Sequence, residues 1–124
     1  MSSGPLCFMI PPWSCAVPEQ VAAIAGLRTM GGAFGWKPEQ GTRVVIVRKE
    51  GMRVVHDFAI PAMSTYHFAN AFEEGNRLHV FANRLIGSRP DLEARFSDMY
   101  GAEWGPDNYN HLYEYVYDLG RGGL

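Results

Sequence analysis

The sequence predicts an all-β domain of antiparallel sheets with one or two short helices. Several short runs are rich in β-branched and aromatic residues, and turn-forming residues separate these runs at short intervals. Antiparallel neighbours need only a tight turn, whereas parallel strands need crossovers of about a dozen residues or more. Most of the predicted connections are too short for such crossovers, so we expect antiparallel pairing in a sandwich, barrel or propeller.

Composition and charge narrow the class further. The chain has 124 residues, enough for one small domain, and 47% of them are hydrophobic, so a core is expected. Lys and Arg number 11 against 13 Asp and Glu, which gives a net charge of −2. Without a basic field to attract phosphates, no nucleic-acid partner is predicted. No apolar run approaches the roughly 20 residues that a membrane-spanning helix needs.

The N-terminal region lacks the features of a secretion signal. The apolar run Leu6–Ile10 has no Lys or Arg before it, and two prolines end it. We therefore predict a cytoplasmic protein. Seven residues separate Cys7 from Cys15, which fits neither a redox CxxC pair nor half of a zinc site, so we interpret them as buried or idle thiols.

The first elements are a short strand and a short helix. The run Leu6–Ile10 is predicted to be the strand. Pro18 marks a first helical turn, and Val21, Ile24 and Leu27 follow at helical spacing. A glycine-rich stretch then ends the helix, which should have two or three turns.

A hairpin follows. Thr42–Arg48 is apolar and β-branched at its centre, residues 49–52 form a turn, and Arg53–Ile60 is the returning strand. Pro61 ends this strand.

The remaining predicted strands are residues 66–72, 77–82 and 112–119. Residues 73–76 connect the first two of them as a four-residue turn. Residues 90–100 are predicted to form a helical turn or two. In the last strand, Tyr113, Tyr115 and Tyr117 alternate onto one face, which we interpret as a packed sheet face.

The histidines are the candidates for metal ligation or proton transfer, and their spacing matches no local motif. They are His56, His67, His79 and His111. Strand alternation gives His67 the same face as Ala69 and Ala71, with Phe68 on the other face. Small neighbours beside a histidine are what a cavity wall requires.

The other histidines carry weaker signals. A four-residue turn at residues 73–76 would pair Asn70 with His79, on the face opposite His67, so these two histidines cannot share a metal ion. His56 lies in the middle of a strand and His111 at the start of one. We interpret His56 and His111 as ordinary hydrogen-bonded histidines.

Two segments of the chain resemble motifs of a known family. Residues 36–43, Trp-Lys-Pro-Glu-Gln-Gly-Thr-Arg, resemble the W-x-P-x-x-G-T-R segment of the carotenoid cleavage oxygenases. Residues 66–75, Tyr-His-Phe-Ala-Asn-Ala-Phe-Glu-Glu-Gly, resemble its aromatic-His-x-x-Asn-Ala-aromatic-Glu-x-Gly segment. Residues 112–119 are similar to the strand that follows in these enzymes. The order and separation of the segments also fit, and the resemblance spans roughly residues 31–120.

The resemblance implies a seven-bladed β-propeller, of which residues 1–124 would form one or two blades of a partial domain. It also implies a non-haem Fe(II) on the propeller axis, held by four histidines, one of which matches His67. Family members use O₂ to cleave a conjugated C=C bond of a carotenoid, an apocarotenoid or a stilbene into two carbonyl products. Neutral imidazole donors suit Fe(II) and leave positions open for O₂. An apolar tunnel would bind such substrates, and Phe34, Trp36, Tyr66 and Phe68 are candidates for its wall.

The chain also departs from the family. Only one of the four ligands can be placed, and His56 falls out of order for a second one. One histidine cannot retain Fe(II), so we expect the isolated chain to be inactive. Two alternatives stay open: a non-catalytic module that binds an apolar ligand or a partner, and a truncated, aggregation-prone product with exposed sheet edges. The sequence also leaves open whether the complete protein makes peripheral contact with a membrane.

Overall fold

The computed structural model describes residues 4–85 and 110–121, and strands dominate this part of the chain. The strands are β1 (Leu6–Ile10), β2 (Trp13–Ser14), β3 (Gly35–Trp36), β4 (Thr42–Arg48), β5 (Arg53–Ile60), β6 (Phe68–Glu74), β7 (Arg77–Leu85) and β8 (Asn110–Asp118). The α-helix described is α1 (Val17–Ile24), and short 3₁₀ turns lie at Gly31–Ala33, Pro38–Gln40 and Glu50–Met52. All the strand pairs are antiparallel. The predicted all-β antiparallel class is confirmed.

The first sheet has the strand order β1-β4-β5. The hairpin between β4 and β5 turns through Gly51, whose φ of 73° is a conformation that glycine adopts without steric cost. The register of this hairpin shifts between Ile46 and Val47, which marks a β-bulge. All three predicted strands of this sheet have the bounds that the sequence indicated.

The second sheet has the order β6-β7-β8. Its first hairpin differs from the prediction, because β6 continues to Glu74 and Gly75, at φ 59°, makes a tighter turn. As a result Phe72, and not Asn70, pairs with His79. The predicted helical turn at residues 90–100 lies outside the described residues.

The two three-stranded sheets pack face to face and share one core. The first sheet and the residues after it contribute Met9, Val44, Ile46, Ile60 and Met63, and the second contributes Leu78, Val80, Ala82, Tyr115 and Tyr117. Tyr117 is completely buried, and its ring meets that of Phe58 edge-on with the centroids 5.8 Å apart. The predicted tyrosine face is therefore a core face, although Tyr113 at its end is 37% exposed.

β2 and β3 form a separate two-stranded ribbon, which no sequence pattern predicted. It brings Trp13 against Trp36, with the ring centroids 4.9 Å apart. Two-residue strands carry too little alternation to be recognised from sequence.

Several apolar side chains remain exposed on the described surface. Helix α1 buries none of its residues, and Ile24 is 82% exposed. The outward-facing sides of the sheets expose Phe8, Ile10, Phe72 and Leu112. Soluble single domains seldom leave so many large apolar groups uncovered, so these surfaces are suited to contact with further structure. Within residues 4–85 and 110–121, no helix is long and apolar enough to cross a membrane.

Candidate metal-ligand site at His67

His67 is the last residue before β6, and its side chain is exposed. It ends a connection that begins at Pro61, directly after β5. Such a connection would be mobile if nothing held it, because exposed loop backbone loses little by opening. Contacts at three successive points hold this one to the rest of the fold.

The first point is Met63, which is held by Thr42 at the start of β4. The Thr42 hydroxyl donates to the Met63 carbonyl at 3.0 Å and accepts from the Met63 N–H at 2.9 Å. Thr42 is completely buried, so both bonds are shielded from water. Next to it, Gly41 passes so close to β5 that a Cβ there would lie 2.6 Å from the Ile60 carbonyl oxygen. The glycine and threonine of the G-T-R segment thus have structural reasons to be there.

The second point is Ser64, which is 2% exposed. The indole N–H of Trp13 lies 3.4 Å from its hydroxyl oxygen. This weak contact links the connection to the β2–β3 ribbon.

The third point is Asn83 in β7. Its amide oxygen Oδ1 accepts hydrogen bonds from the Thr65 hydroxyl at 2.9 Å, the Tyr66 N–H at 2.9 Å and the His67 N–H at 2.8 Å. The Asn83 N–H also donates to the His67 carbonyl at 3.0 Å. The backbone of His67 is therefore bonded on both sides to one residue of the neighbouring strand. Sequence reasoning missed Asn83, because an asparagine within a strand carries no motif.

A cavity of about 320 Å³ lies beside the start of β6. It is lined by Pro5, Leu6, Cys7, Phe68, Ala69, Asn70, Ala71, Leu78 and Val80. None of these side chains is charged, so the cavity suits an apolar ligand better than an ionic one. The predicted small companions Ala69 and Ala71 both belong to its wall, whereas His67 is not among the lining residues.

The predicted faces of β6 need a correction. A β-bulge at Ala69 pairs Phe68 with Ala82 and Ala71 with Val80. Ala82 and Val80 are two residues apart in β7 and share a face, so Phe68 and Ala71 share it as well. The prediction that Phe68 and Ala71 lie on opposite faces was wrong, because strict alternation does not continue through a bulge.

The other three histidines do not join His67. His56 Nε2 lies 2.7 Å from the Leu119 carbonyl oxygen, across the interface between the two sheets. His79 Nδ1 lies 2.7 Å from Glu114 Oε1, and its ring stacks on Phe72. Both are hydrogen-bonded structural histidines, as we interpreted His56. His111 is exposed at the start of β8.

Of the four candidate tunnel residues, Phe68 alone lines the described cavity. Phe34 and Tyr66 are exposed, at 41% and 44%, and Trp36 packs on Trp13. Cys7, which also lines the cavity, has a partly buried thiol, and this burial raises its pKa to about 11. Cys7 and Cys15 are both free, in line with their interpretation as unpaired thiols.

Iron would need more donors than these residues provide. Among the described residues, no three His, Cys, Asp or Glu side chains are grouped so that they could hold a metal ion. His67 suits the role of one donor, since it is exposed and its backbone is fixed, but it cannot make the site alone. A complete site needs histidines from elsewhere.

Together, the fold and the site define a protein of antiparallel sheets that presents one fixed, exposed histidine near an apolar cavity. A scan against known protein families matches residues 5–123 to the retinal pigment epithelial membrane protein family. The match covers nearly the whole chain, and the chain belongs to this family, whose members are carotenoid or retinoid oxygenases and isomerases. The resemblance seen in the sequence is thereby confirmed. A search of curated proteins finds no match.

Proposed function

We propose that this chain forms part of a carotenoid cleavage dioxygenase and that His67 is one of the four histidine ligands of its non-haem Fe(II). The observation that carries the proposal is the position of His67 within the family match. It combines an exposed imidazole with a backbone held by Asn83, and the residue that follows it, Phe68, lines an uncharged cavity. A metal ligand needs this combination of access and fixed position.

The proposed reaction cleaves one conjugated C=C bond of a carotenoid, an apocarotenoid or a stilbene. Both atoms of O₂ end in the products, as the oxygens of two new carbonyl groups, so no other oxidant or reductant is needed. The bound iron would supply the activation of O₂. The residues of this chain would contribute one imidazole and part of an apolar wall that keeps water from the polyene.

The exposed apolar surfaces support the idea that further blades complete the structure. Phe8 on β1 and Phe72 on β6 are 46% and 45% exposed. Additional sheets packed on these sides would cover them, as face-to-face blades do in a propeller. The other ligands would come from those sheets.

The first experiment measures which histidine takes up a metal ion. Ni²⁺ is added to the chain, and the imidazole resonances of the four histidines are followed by NMR. We expect His67 to broaden at the lowest Ni²⁺ concentration, and His67→Gln to abolish this response. His111→Gln is the matched control, because His111 is also exposed and at a strand start. Preferential broadening of any other histidine would contradict the ligand role of His67.

A second experiment measures iron and turnover on the isolated chain. With one donor present, we expect substoichiometric iron and no cleavage of an apocarotenoid in the presence of Fe(II) and O₂. One tightly bound iron per chain together with cleavage would overturn the proposed need for further ligands.

The alternative function is a non-catalytic module that binds an apolar ligand. The uncharged cavity is the observation that favours it. Binding of an apocarotenoid that quenches tryptophan fluorescence equally in the wild type and in His67→Ala, with no metal response at His67, would select this alternative.

A further inference from the structure

Asn83 holds the segment before β6 through a single atom. Its Oδ1 accepts from three consecutive residues, Thr65, Tyr66 and His67, at 2.8–2.9 Å. The two backbone N–H groups can only donate, so the atom facing them must be the amide oxygen and not the nitrogen. The orientation of the Asn83 amide is thereby determined by the backbone that it holds.

The loss of this oxygen would leave donors without a protein partner. The Tyr66 and His67 amides precede β6 and have no other protein acceptor among their described bonds. The bond from Thr65 is partly buried, whereas the bonds from Tyr66 and His67 are exposed, so without Oδ1 these two amides would bind water and would no longer be held to β7 by it. The remaining tie of this stretch to β7 would be the bond from the Asn83 N–H to the His67 carbonyl.

We propose that Asn83 is the positioning residue of the ligand histidine, fixing the backbone of Tyr66 and His67 and with it the point from which the imidazole extends. The inference rests on the proposed function, because positioning matters for metal binding only if His67 is a ligand. The order of the Tyr66 and His67 backbone can be measured whether or not His67 binds a metal ion. A ligand on a fixed backbone loses less conformational freedom when it binds a metal ion than one on a mobile loop. Asn83 thus acts through His67 and needs no contact with the metal.

The test compares Asn83→Leu with Asn83→Asp. Leucine has a similar size but no acceptor, whereas aspartate keeps an oxygen in the same place and leaves the three donors satisfied. In the wild type and in Asn83→Asp we expect order parameters near 0.85 for the Tyr66 and His67 amides. In Asn83→Leu we expect values below about 0.6 and at least tenfold faster amide exchange at these two positions.

Three controls accompany this test, and the first two separate local ordering from loss of the fold. The amides of Val80 and Tyr117 in the core should keep the wild-type exchange rate in Asn83→Leu. If this variant does not fold, Asn83→Ala removes the acceptor without placing a branched side chain beside the loop. Thr65→Val removes one of the three bonds and should leave both amides ordered, because their own bonds to Oδ1 remain.

The second part of the test measures metal binding at His67, with Ni²⁺ alone as the probe. We expect the Ni²⁺ concentration that half-broadens the His67 imidazole to rise several-fold in Asn83→Leu and to return to the wild-type value in Asn83→Asp. Unchanged order and exchange at Tyr66 and His67 in Asn83→Leu would overturn the inference. If the two amides become disordered in Asn83→Leu but His67 shows no Ni²⁺ response in the wild type or in any variant, Asn83 still orders this backbone. That result would refute the proposed ligand role of His67 instead.

Discussion

The hydroxyl of Tyr117 in β8 donates a hydrogen bond to the sulfur of Met9 in β1, with 3.5 Å between the oxygen and Sδ. The two residues are 108 positions apart and belong to different sheets. Tyr117 is completely buried and Met9 is 7% exposed, so this contact lies inside the shared core. The first and last of the described strands are thus joined by a side-chain hydrogen bond.

Tyr117→Ala should be strongly destabilising, because it removes a large buried ring and leaves a cavity between the sheets. We expect the free energy of unfolding to fall by about 3–5 kcal/mol. Tyr117→Phe keeps the ring and loses a hydroxyl bound to a weak sulfur acceptor, so its cost should be about 1 kcal/mol or less. Urea denaturation followed by tryptophan fluorescence measures both variants. Equal costs for the two would show that the ring is not packed as described.

Alkaline pH should destabilise the fold through the same residue. Burial raises the pKa of Tyr117 above the ordinary value of about 10 that it has in the unfolded chain. Above pH 10 the unfolded state therefore loses this proton first, and the free energy of unfolding falls by up to about 1.4 kcal/mol per pH unit. Burial raises the pKa of Tyr115 and Cys7 too, so they act in the same direction.

Tyr117→Phe isolates the contribution of this phenol. Between pH 9 and 11, its stability should decline less steeply than that of the wild type, as measured by the urea midpoint at each pH. Identical slopes in the two proteins would contradict the assignment of the effect to Tyr117.

The sequence predicted the strands whose alternation and turns are local. β1, β4 and β5 have the predicted bounds, because β-branched runs are bounded there by prolines and a glycine turn. β6 was placed two residues too early, since two glutamates next to Gly75 indicated a longer turn than the one that forms. The bulge at Ala69 and the role of Asn83 depend on how β6 meets β7, and no local pattern contains that information.

The sequence predicted less about the candidate metal-ligand site than about the strands. His67 stood out because of its segment and its small neighbours, and the family match covers it. Its role as a ligand stays a prediction, because the complementary donors are absent from the described residues. Spacing along one chain does not indicate which histidines of other blades meet at an axis.

Thr42→Val should lower the free energy of unfolding by more than its small change in shape suggests. Valine matches the volume of threonine but leaves the N–H and carbonyl of Met63 without their partner in a dry environment. We expect a loss of about 2–4 kcal/mol in the free energy of unfolding. Thr42→Ser keeps the hydroxyl and is the matched control, expected to lose less than half as much. A valine variant as stable as the serine variant would refute the importance of these two bonds.

Gly41→Ala should be more harmful than the same change at Gly51. Both glycines have positive φ, 67° and 73°. Gly51, with ψ 9°, lies in the left-handed region, where alanine costs about 1–2 kcal/mol, whereas Gly41, with ψ 174°, lies in a region that is essentially restricted to glycine. At Gly41 the new Cβ would also lie 2.6 Å from the Ile60 carbonyl oxygen, whereas at Gly51 nothing lies within 4 Å. Strand β5 must therefore shift in the Gly41 variant, which thermal unfolding should show as the larger loss of stability. Equal losses would show that the close approach can relax without cost.

The reactivity of the Cys7 thiol measures how well the cavity excludes water. Burial raises its pKa from 9.0 to about 11, so at pH 8 the reactive thiolate is about 100-fold scarcer than in the unfolded chain. In a Cys15→Ser background, alkylation of Cys7 by iodoacetamide should therefore be about 100-fold slower in the folded protein than in urea. Because Cys7 lines the cavity, an apocarotenoid that enters it should slow the reaction further. A polar control compound of similar length should have no effect. Alkylation at the unfolded rate would show that water reaches Cys7 freely, and the cavity would then be too wet to hold a polyene.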